Sequence, residues 1–257
     1  MLFMRDFKDM KPTLEELAML QGRWREHPRY QGCVGHWLFN EGGGTTLYDA
    51  SASVRHIALT GTIGHTLNQF GYCYNFNGTD STGSHAALTL TGAFTIAFWL
   101  NSPALSQFNA CMGSAADSSN FLGVGTSTVR VRCAGFNNDI TASPAFSNNI
   151  LYHFAVTRDG SGNYTVFQNA NVVGTLGGGT TGGLLLERVG QRNNANYFNG
   201  VMHDIYYWQG IKSVNEIQEL YYGPYAPFER ASEKIGISYF DMQSSSALSS
   251  YHYRFML

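Results

Sequence analysis

The sequence predicts an all-β protein in which two antiparallel sheets pack face to face as a sandwich. More than ten short stretches carry the alternation of apolar and polar residues that a strand shows when one face is buried and the other is solvated. Turn residues separate them, and the chain holds 29 glycines. Charged residues make up only 13% of the chain, against about 25% in an average domain. Many short strands with this spacing are typical of a sandwich.

Residues 1–31 are predicted to form a helix and a connector, an N-terminal arm ahead of the β region. Thr13 and Glu16 form a capping box, in which the Thr13 hydroxyl accepts the N–H of Glu16 and the Glu16 carboxylate accepts the N–H of Thr13. Gly22 can end this helix. Trp24 and Tyr30 then indicate a connector that packs on the main body.

Residues 32–223 are predicted to form the β domain. The run 94–100 places apolar side chains on one face and Trp99 on the other, which predicts a central strand covered on both faces. Residues 129–133 alternate, with Arg130 and Arg132 outward, as in a half-solvated strand. The other predicted strands are 36–39, 57–60, 72–76, 121–124, 152–157, 164–168, 172–176, 184–189 and 202–208.

The β domain is predicted to end in a short helix, and a C-terminal arm follows it. Ser213 and Glu216 form a second capping box, and Gly223 with Pro224 stops the helix. Residues 224–257 then form an aromatic and serine-rich docking arm. This arm either adds a strand to a neighbouring subunit and fills its pockets, or folds back on its own sandwich. The residues predicted to anchor it are Tyr239, Phe240, Tyr251, Tyr253 and Phe255.

Charge and hydropathy exclude several classes of partner. The net charge is −2 and the chain has no run of Lys or Arg, so nucleic acid is not expected as a ligand. No stretch of about 18 apolar residues could cross a membrane. Charged residues are spread through Met1–Gln21, so we expect no secretory signal peptide. The four cysteines include no C-x-x-C pair and are predicted to be buried free thiols.

The motifs at the two ends of the β region resemble the opening and closing strands of a laminin-G-like, concanavalin A-like jelly roll. They are Gly35–Gly44, GHWLFNEGGG, and Phe198–Ile205, FNGVMHDI. Further motifs occur in the same order as in such domains: Asp49-Ala50-Ser51, residues 74–78, 94–99 and 153–157, and the helix 211–221. The resemblance covers about residues 33–222 and implies the jelly-roll fold.

The resemblance also implies a function, because domains with this opening are similar to ones common in bacteriophage genomes. We therefore expect a non-enzymatic structural protein of the virion, such as a capsid decoration, head-fibre or tail-fibre component. It would be made in the host cytoplasm and would bind other virion proteins or copies of itself. The alternative is a carbohydrate-binding lectin module that attaches to surface glycans. Catalysis is not expected, because the E-x-D-x-x-E arrangement of related glucanases is absent from the sequence.

No cofactor is required by this interpretation, and structural calcium is the one that the resemblance raises. Asp49 and Asp204 match positions at which related domains hold the ion, whereas His203 stands where the family often has another Asp. Calcium prefers about six to eight oxygen ligands. The other interpretation is that Asp49 caps a turn and Asp204 hydrogen-bonds to the backbone.

Candidate carbohydrate-binding residues are amides beside an aromatic ring, since a sugar stacks on a ring and bonds planar polar groups through its hydroxyls. The candidates are Asn193, Asn194, Asn196, Tyr197 and Trp208. Asn137, Asn138 and Asp139 offer a second polar cluster. Asparagines in β proteins also serve as turn residues, so the same cluster is open to a structural interpretation. At least one ring of the set 206–208 is expected at the surface.

Overall fold

The computed structural model describes residues 11–116 and 118–228, and this part of the chain is an all-β sandwich of two eight-stranded antiparallel sheets. The α-helices are α1 (Leu14–Leu20) and α2 (Val214–Tyr222). Short 3₁₀ helices cover Arg23–Glu26, Pro28–Tyr30 and Ala226–Phe228. The strands are β1 (Cys33–Trp37), β2 (Thr46–Leu47), β3 (Ile57–Thr60), β4 (Gly64–Asn68), β5 (Gly71–Asn77), β6 (Thr82–Leu90), β7 (Phe94–Asn101), β8 (Ala110–Gly113), β9 (Phe121–Val124), β10 (Thr128–Cys133), β11 (Phe136–Thr141), β12 (Tyr152–Arg158), β13 (Tyr164–Gln168), β14 (Asn171–Leu176), β15 (Leu184–Val189) and β16 (Asn199–Trp208).

The two sheets share the core between their inner faces. The first sheet has the order β14-β13-β12-β7-β16-β5-β4, with β1 paired to β16. The second has the order β11-β10-β9-β8-β15-β6-β3-β2. Trp37, Phe76 and Tyr207 are fully buried in this core together with aliphatic residues of both sheets. The predicted all-β jelly-roll sandwich is confirmed.

The predicted burial of residues in β7 and β10 is confirmed. β7 lies between β12 and β16, and residues 94–100 are all buried. In β10, Val129, Val131 and Cys133 are buried, while the residues between them are half-buried. The sequence patterns thus correctly predict burial on both faces of β7 and on one face of β10.

Five strands were not predicted: β2, β4, β6, β8 and β11. β4 is an edge strand whose first four residues are exposed, so no apolar alternation marks it. In β11 the sequence Phe136-Asn137-Asn138-Asp139 has the composition of a turn, yet each of its residues pairs with β10. These segments are strands because a neighbouring strand supplies their hydrogen-bonding partners, and their local composition does not indicate a strand.

The outer face of the first sheet is covered by segments from both ends of the described chain. Trp24 and Tyr30 pack there with Trp99 of β7 and with Tyr225 and Phe228. Helix α2 adds its apolar stripe, formed by Ile217 and Leu220. This face is therefore a second hydrophobic layer, and the expected packing of the connector on the main body is observed.

Both predicted capping boxes are present, with Thr13 and Ser213 as N-caps and Glu16 and Glu216 as their partners. Helix α1 ends at Leu20, and its C-cap is Gln21, one residue before the predicted Gly22; Gln21 and Gly22 both adopt left-handed conformations.

The predicted C-terminal arm is described only for residues 224–228, which fold back on their own sandwich through Tyr225 and Phe228. The predicted anchors Tyr239, Phe240, Tyr251, Tyr253 and Phe255 lie outside the described residues. The division of the chain at residues 31 and 223 stays a prediction.

The cysteines Cys33, Cys73, Cys111 and Cys133 are free thiols, and all except Cys33 are fully buried. Among the described residues, no helix combines the length and the apolar character needed to cross a membrane.

Candidate functional site

The outer face of the second sheet carries a row of charged side chains on β10 and β11. In the strand register, Arg130 lies opposite Asp139 and Arg132 lies opposite Asn137. The Arg130 guanidinium donates from Nε and Nη2 to the two carboxylate oxygens of Asp139, at 2.6 Å each. A bidentate pair of this kind fixes the plane of the guanidinium group.

Two glycines on the adjoining strands allow loops to lie directly on this face. Gly123 of β9 is opposite Arg130, and a Cβ atom there would lie 2.4 Å from the carbonyl oxygen of Gln107. A Cβ atom at Gly113 of β8 would lie 2.8 Å from the Cβ of Arg192. The missing side chains thus make room for Gln107 and Arg192 above the sheet.

The loop between β7 and β8 presents Phe108, which is 48% exposed. The guanidinium carbon of Arg130 lies 4.9 Å from the centroid of the Phe108 ring. Arg192 donates from Nε to the carbonyl oxygen of Phe108, at 3.1 Å, and its guanidinium carbon lies 3.9 Å from the ring centroid of Phe121. Arg130 therefore packs against the exposed ring, and Arg192 anchors the backbone of Phe108.

The loop between β15 and β16 contains the asparagines and the tyrosine that were predicted to bind carbohydrate. Asn193, Asn194 and Asn196 all adopt left-handed backbone conformations, which asparagine tolerates better than most residues. The loop is pinned to β8, because Ala110 donates to the carbonyl of Asn196 at 3.2 Å and forms a bridge with Tyr197. The asparagines thus shape a turn, and the same turn places them beside Arg192.

We call this region the arginine surface and define it by Phe108, Arg130, Arg132, Asp139, Arg192 and residues 193–197. Asn194 is exposed, whereas Asn193, Asn196 and Tyr197 are half-buried. Burial lowers the pKa of Arg192, and the positive charges of Arg132 and Arg130 lower it further. Three cationic groups are therefore close together on this face.

Phe108 and Arg192 were not predicted from the sequence, and Arg130 and Arg132 were predicted only as outward residues of a strand. The signal that could have found Phe108 is a single aromatic residue in a polar loop, Ser106-Gln107-Phe108-Asn109, between two strands. Of the second predicted polar cluster, Asp139 belongs to the site. Asn138 is buried and donates to the carbonyl of Val131 at 2.8 Å, so it has a structural role.

The prediction that Trp208 binds a ligand at the surface is wrong. Its ring is fully buried, its Nε1 donates to the carbonyl of Arg29 at 2.7 Å, and it stacks on Tyr206. Tyr206 is only 4% exposed and Tyr207 is fully buried, so none of these three rings reaches the surface. Helix α2 and the N-terminal connector cover the face on which Tyr206 and Trp208 lie, which strand periodicity alone does not reveal.

Asp49 does not fit the predicted calcium site. Its Oδ1 accepts the backbone N–H groups of His36 and Ser51, and its Oδ2 accepts the N–H of Arg55 and the hydroxyl of Ser51. Four donors point at this buried carboxylate, and a donor hydrogen repels a cation. Asp49 therefore caps a turn, which is the other interpretation that the sequence allowed.

Asp204 lies in a bulge of β16 and is likewise surrounded by donors. His203 donates from Nδ1 to Oδ2 at 2.8 Å, and the Tyr225 hydroxyl also donates to this oxygen. Burial by itself would raise the pKa of Asp204, but the positive charge of Lys11 and the contacts with His203 and Tyr225 hold it below its ordinary value. The nearby cation is thus the ammonium group of Lys11.

Asp204 therefore has side-chain donors instead of the expected backbone partners. Its Oδ1 is buried and accepts no hydrogen bond from the described residues. Among those same residues, no group of three or more His, Cys, Asp or Glu side chains could hold a metal ion. The residues at Asp49 and Asp204 do not fit calcium.

Comparison with known protein families identifies the fold family. A family model for the concanavalin A-like lectin/glucanases superfamily matches residues 76–218, more than half of the chain. The chain belongs to this superfamily. The jelly-roll resemblance read from the sequence is thereby confirmed. A search of curated protein sequences finds no match.

Solved structures with the same fold include a domain of an enzyme and domains of toxins. Domain 4 of AbnA, a GH43 extracellular arabinanase from Geobacillus stearothermophilus, was solved with arabinotriose. It superposes with a TM-score of 0.60 at 15% identity, over 73% of this chain and 97% of that chain. The binding domain of Paraclostridial Mosquitocidal Protein 1 gives a TM-score of 0.57 at 15% identity, over 77% of this chain and 53% of that chain.

A third similar structure comes from a study of the cell entry of botulinum neurotoxin type C, which depends on interaction with two ganglioside molecules. It has a TM-score of 0.56 at 12% identity and covers 74% of this chain and 51% of that chain. The chain spans about half the length of the two toxin chains. At these identities the likeness establishes the fold alone.

Proposed function

We propose that this protein is a carbohydrate-binding, lectin-like module and that the arginine surface is its binding site. The observation that carries the proposal is the exposed Phe108 ring, which packs against the fixed guanidinium group of Arg130. Membership of the concanavalin A-like lectin/glucanases superfamily supports it. So does the likeness to domain 4 of AbnA, which was solved with arabinotriose.

The chemistry of this surface matches the two kinds of group that a sugar presents. A pyranose or furanose ring has an apolar face of C–H bonds that packs on an aromatic ring, and hydroxyls at its edge that need planar polar partners. Phe108 supplies the ring, Arg130 lies 4.9 Å from its centroid, and Arg192 donates to its backbone carbonyl. Because Arg130 is fixed by Asp139 and Arg192 by the Phe108 carbonyl, little conformational entropy is lost when a sugar binds.

A glycan array probed with the wild-type protein and with Phe108→Ala tests this proposal. We expect saturable binding to at least one glycan, and a loss of about tenfold or more in affinity for Phe108→Ala, because the stacking platform is removed. Tyr222→Ala is the matched control, since Tyr222 is 68% exposed on α2, the helix that covers the other sheet. Binding by Phe108→Ala at wild-type strength, or no glycan binding at all, would contradict the proposal.

The structural role in a virion remains a second proposal, which rests on the sequence resemblance. The residues expected to grip neighbouring subunits lie outside the described residues, and the described part of the arm packs in cis through Tyr225 and Phe228. Deletion of residues 229–257 followed by light scattering tests it, because an assembly role requires that self-association or particle binding be lost. An unchanged assembly would exclude the arm as the adhesive element.

The absence of catalysis is proposed on the same basis. Incubation of the protein with β-glucan oligosaccharides and analysis of their reducing ends tests it, and we expect no cleavage.

A further inference from the structure

The arginine surface concentrates positive charge in a chain whose net charge is −2. Arg130 and Arg132 are two residues apart on the outward face of β10. Arg192 lies over Phe121, and Phe121 is the register partner of Arg132 on β9. Three guanidinium groups therefore share one face of the sheet, and Asp139 is paired with one of them, Arg130.

The three arginines differ in how far their hydrogen-bonding capacity is used. Arg130 is engaged by both oxygens of Asp139. Arg132 uses Nε to reach the carbonyl of Gly135 at 3.1 Å, and Arg192 uses Nε to reach the carbonyl of Phe108 at 3.1 Å. Within residues 11–116 and 118–228, the terminal nitrogens of Arg132 and Arg192 make no hydrogen bond. Each of these two side chains thus holds its position through Nε and has terminal donors that the described residues do not use; Arg192 itself is 8% exposed.

Like charges at short range raise the free energy of the unliganded surface, and an anion placed between them relieves this repulsion. A guanidinium group presents parallel N–H donors whose spacing fits a carboxylate or a sulfate, and such charge-assisted bonds are about twice as strong as neutral ones. The ring of Phe108 beside these donors adds an apolar platform. This platform favours an anion carried by a sugar ring over a free inorganic anion.

We propose that the arginine surface binds an acidic sugar, with the anionic group on the terminal nitrogens of Arg132 and Arg192 and the sugar ring on Phe108. The inference rests on the proposed carbohydrate-binding function and specifies its ligand class. The recognised group is a carboxylate or sulfate carried by a sugar ring. Arg130, neutralised by Asp139, acts as the wall of the site next to Phe108.

Calorimetry with matched pairs of oligosaccharides tests this inference. The acidic probes are an oligogalacturonide, an oligosialic acid and a heparin-derived oligosaccharide, and each is compared with its carboxyl-reduced or desulfated counterpart. At low salt we expect at least one acidic probe to bind about tenfold or more tightly than its neutral counterpart. The pair that shows the difference tells whether the anion is a carboxylate or a sulfate.

Variants assign the effect to the site. Arg132→Gln should remove most of the preference for the acidic probe, measured as the ratio of its affinity to that of the neutral counterpart. Arg132→Lys keeps the charge without the planar fork and should retain part of the preference. Arg23→Gln is the control, because it removes the same charge from an exposed residue on the segment that covers the other sheet. Circular dichroism and thermal unfolding of each variant establish that it folds.

The outcomes separate this inference from the proposed function. If neutral sugars bind as tightly as acidic ones and Phe108→Ala abolishes binding, the lectin function stands and the acidic-sugar inference is overturned. If no sugar of either kind binds, the proposed function itself fails. If double-stranded DNA binds as tightly as the acidic sugars, and Arg23→Gln weakens both equally, the attraction is general electrostatics and the inference is again overturned.

Discussion

Asp49 is a buried carboxylate that closes the loop between β2 and β3 onto β1. It accepts the backbone N–H of His36 on one side, and those of Ser51 and Arg55 on the other. Each of these donors would otherwise lose its hydrogen-bonding partner, which is costly away from water. The residue therefore has a structural role at a position where the family resemblance suggested a metal ligand.

We expect Asp49→Asn to lower the free energy of unfolding by about 2–4 kcal/mol, because an NH₂ group would face N–H donors where a carboxylate oxygen accepted them. Chemical denaturation of the variant and the wild type measures the difference. The companion measurement is the melting temperature of the wild type with EDTA and with added calcium, which should be equal. A fall with EDTA that calcium restores would show that the carboxylate binds a metal.

At the scale of the element, helix α2 joins the two ends of the described chain. Its stripe of Ile217 and Leu220 packs on the outer face of the first sheet. At its C-terminal end, the Arg29 guanidinium donates to the carbonyls of Glu219, Gly223 and Pro224. A cation at this end also interacts favourably with the helix dipole. The helix is thus fastened to the N-terminal connector as well as to the sheet.

The capping box of α2 should contribute measurably to stability. Ser213→Ala removes the side-chain acceptor for the Glu216 N–H, and we expect a loss of about 1 kcal/mol in the free energy of unfolding. Ser213→Thr keeps the acceptor and should lose less than half of this amount. Equal losses for the two variants would mean that the hydroxyl does not cap the helix.

At the scale of the whole molecule, histidines lie in the layer between the first sheet and the segments that cover it. Burial lowers the pKa of His203 to about 4, and the pKa values of His36 and His153 to about 3. Neutral His203 donates from Nδ1 to Asp204 and accepts at Nε2 from the Asn68 amide, at 2.8 Å each. The layer is therefore assembled with uncharged imidazoles.

This arrangement predicts acid sensitivity. Below the ordinary histidine pKa of 6.5 the unfolded chain takes up protons on these residues, whereas the folded chain does not until its lowered pKa values of about 4 and 3 are reached. Stability therefore falls as the pH falls through this window. We expect the free energy of unfolding to be roughly 2–6 kcal/mol lower at pH 5 than at pH 7.

Urea denaturation at several pH values between 8 and 4 measures this dependence. His203→Asn, which does not titrate, should show a shallower slope than the wild type. A free energy of unfolding that is constant from pH 7 to pH 5 would mean that these histidines are not buried as neutral groups.

Local sequence patterns predicted most of the fold and only part of the candidate site. The order of apolar and polar residues in β7 and β10 predicts which faces of these strands are buried. A capping box needs only four consecutive residues. The strands and the caps could therefore be found without tertiary information. β4 and β11 were missed because their pairing partners decide their conformation. Phe108 and Arg192 were missed because they are 84 residues apart in sequence and meet only where Gly113 and Gly123 leave room above the sheet.

The sequence by itself determined the two-layer β architecture, the two capped helices and the family, since each depends on short-range periodicity and hydrogen bonding between near neighbours. Only the tertiary structure decided which face of which sheet remains open. Helix α2 and the N-terminal connector bury Trp208 on one outer face, whereas the glycines of β8 and β9 let two loops gather arginines and a ring on the other. These outcomes depend on contacts between residues far apart in the chain, which strand periodicity does not encode.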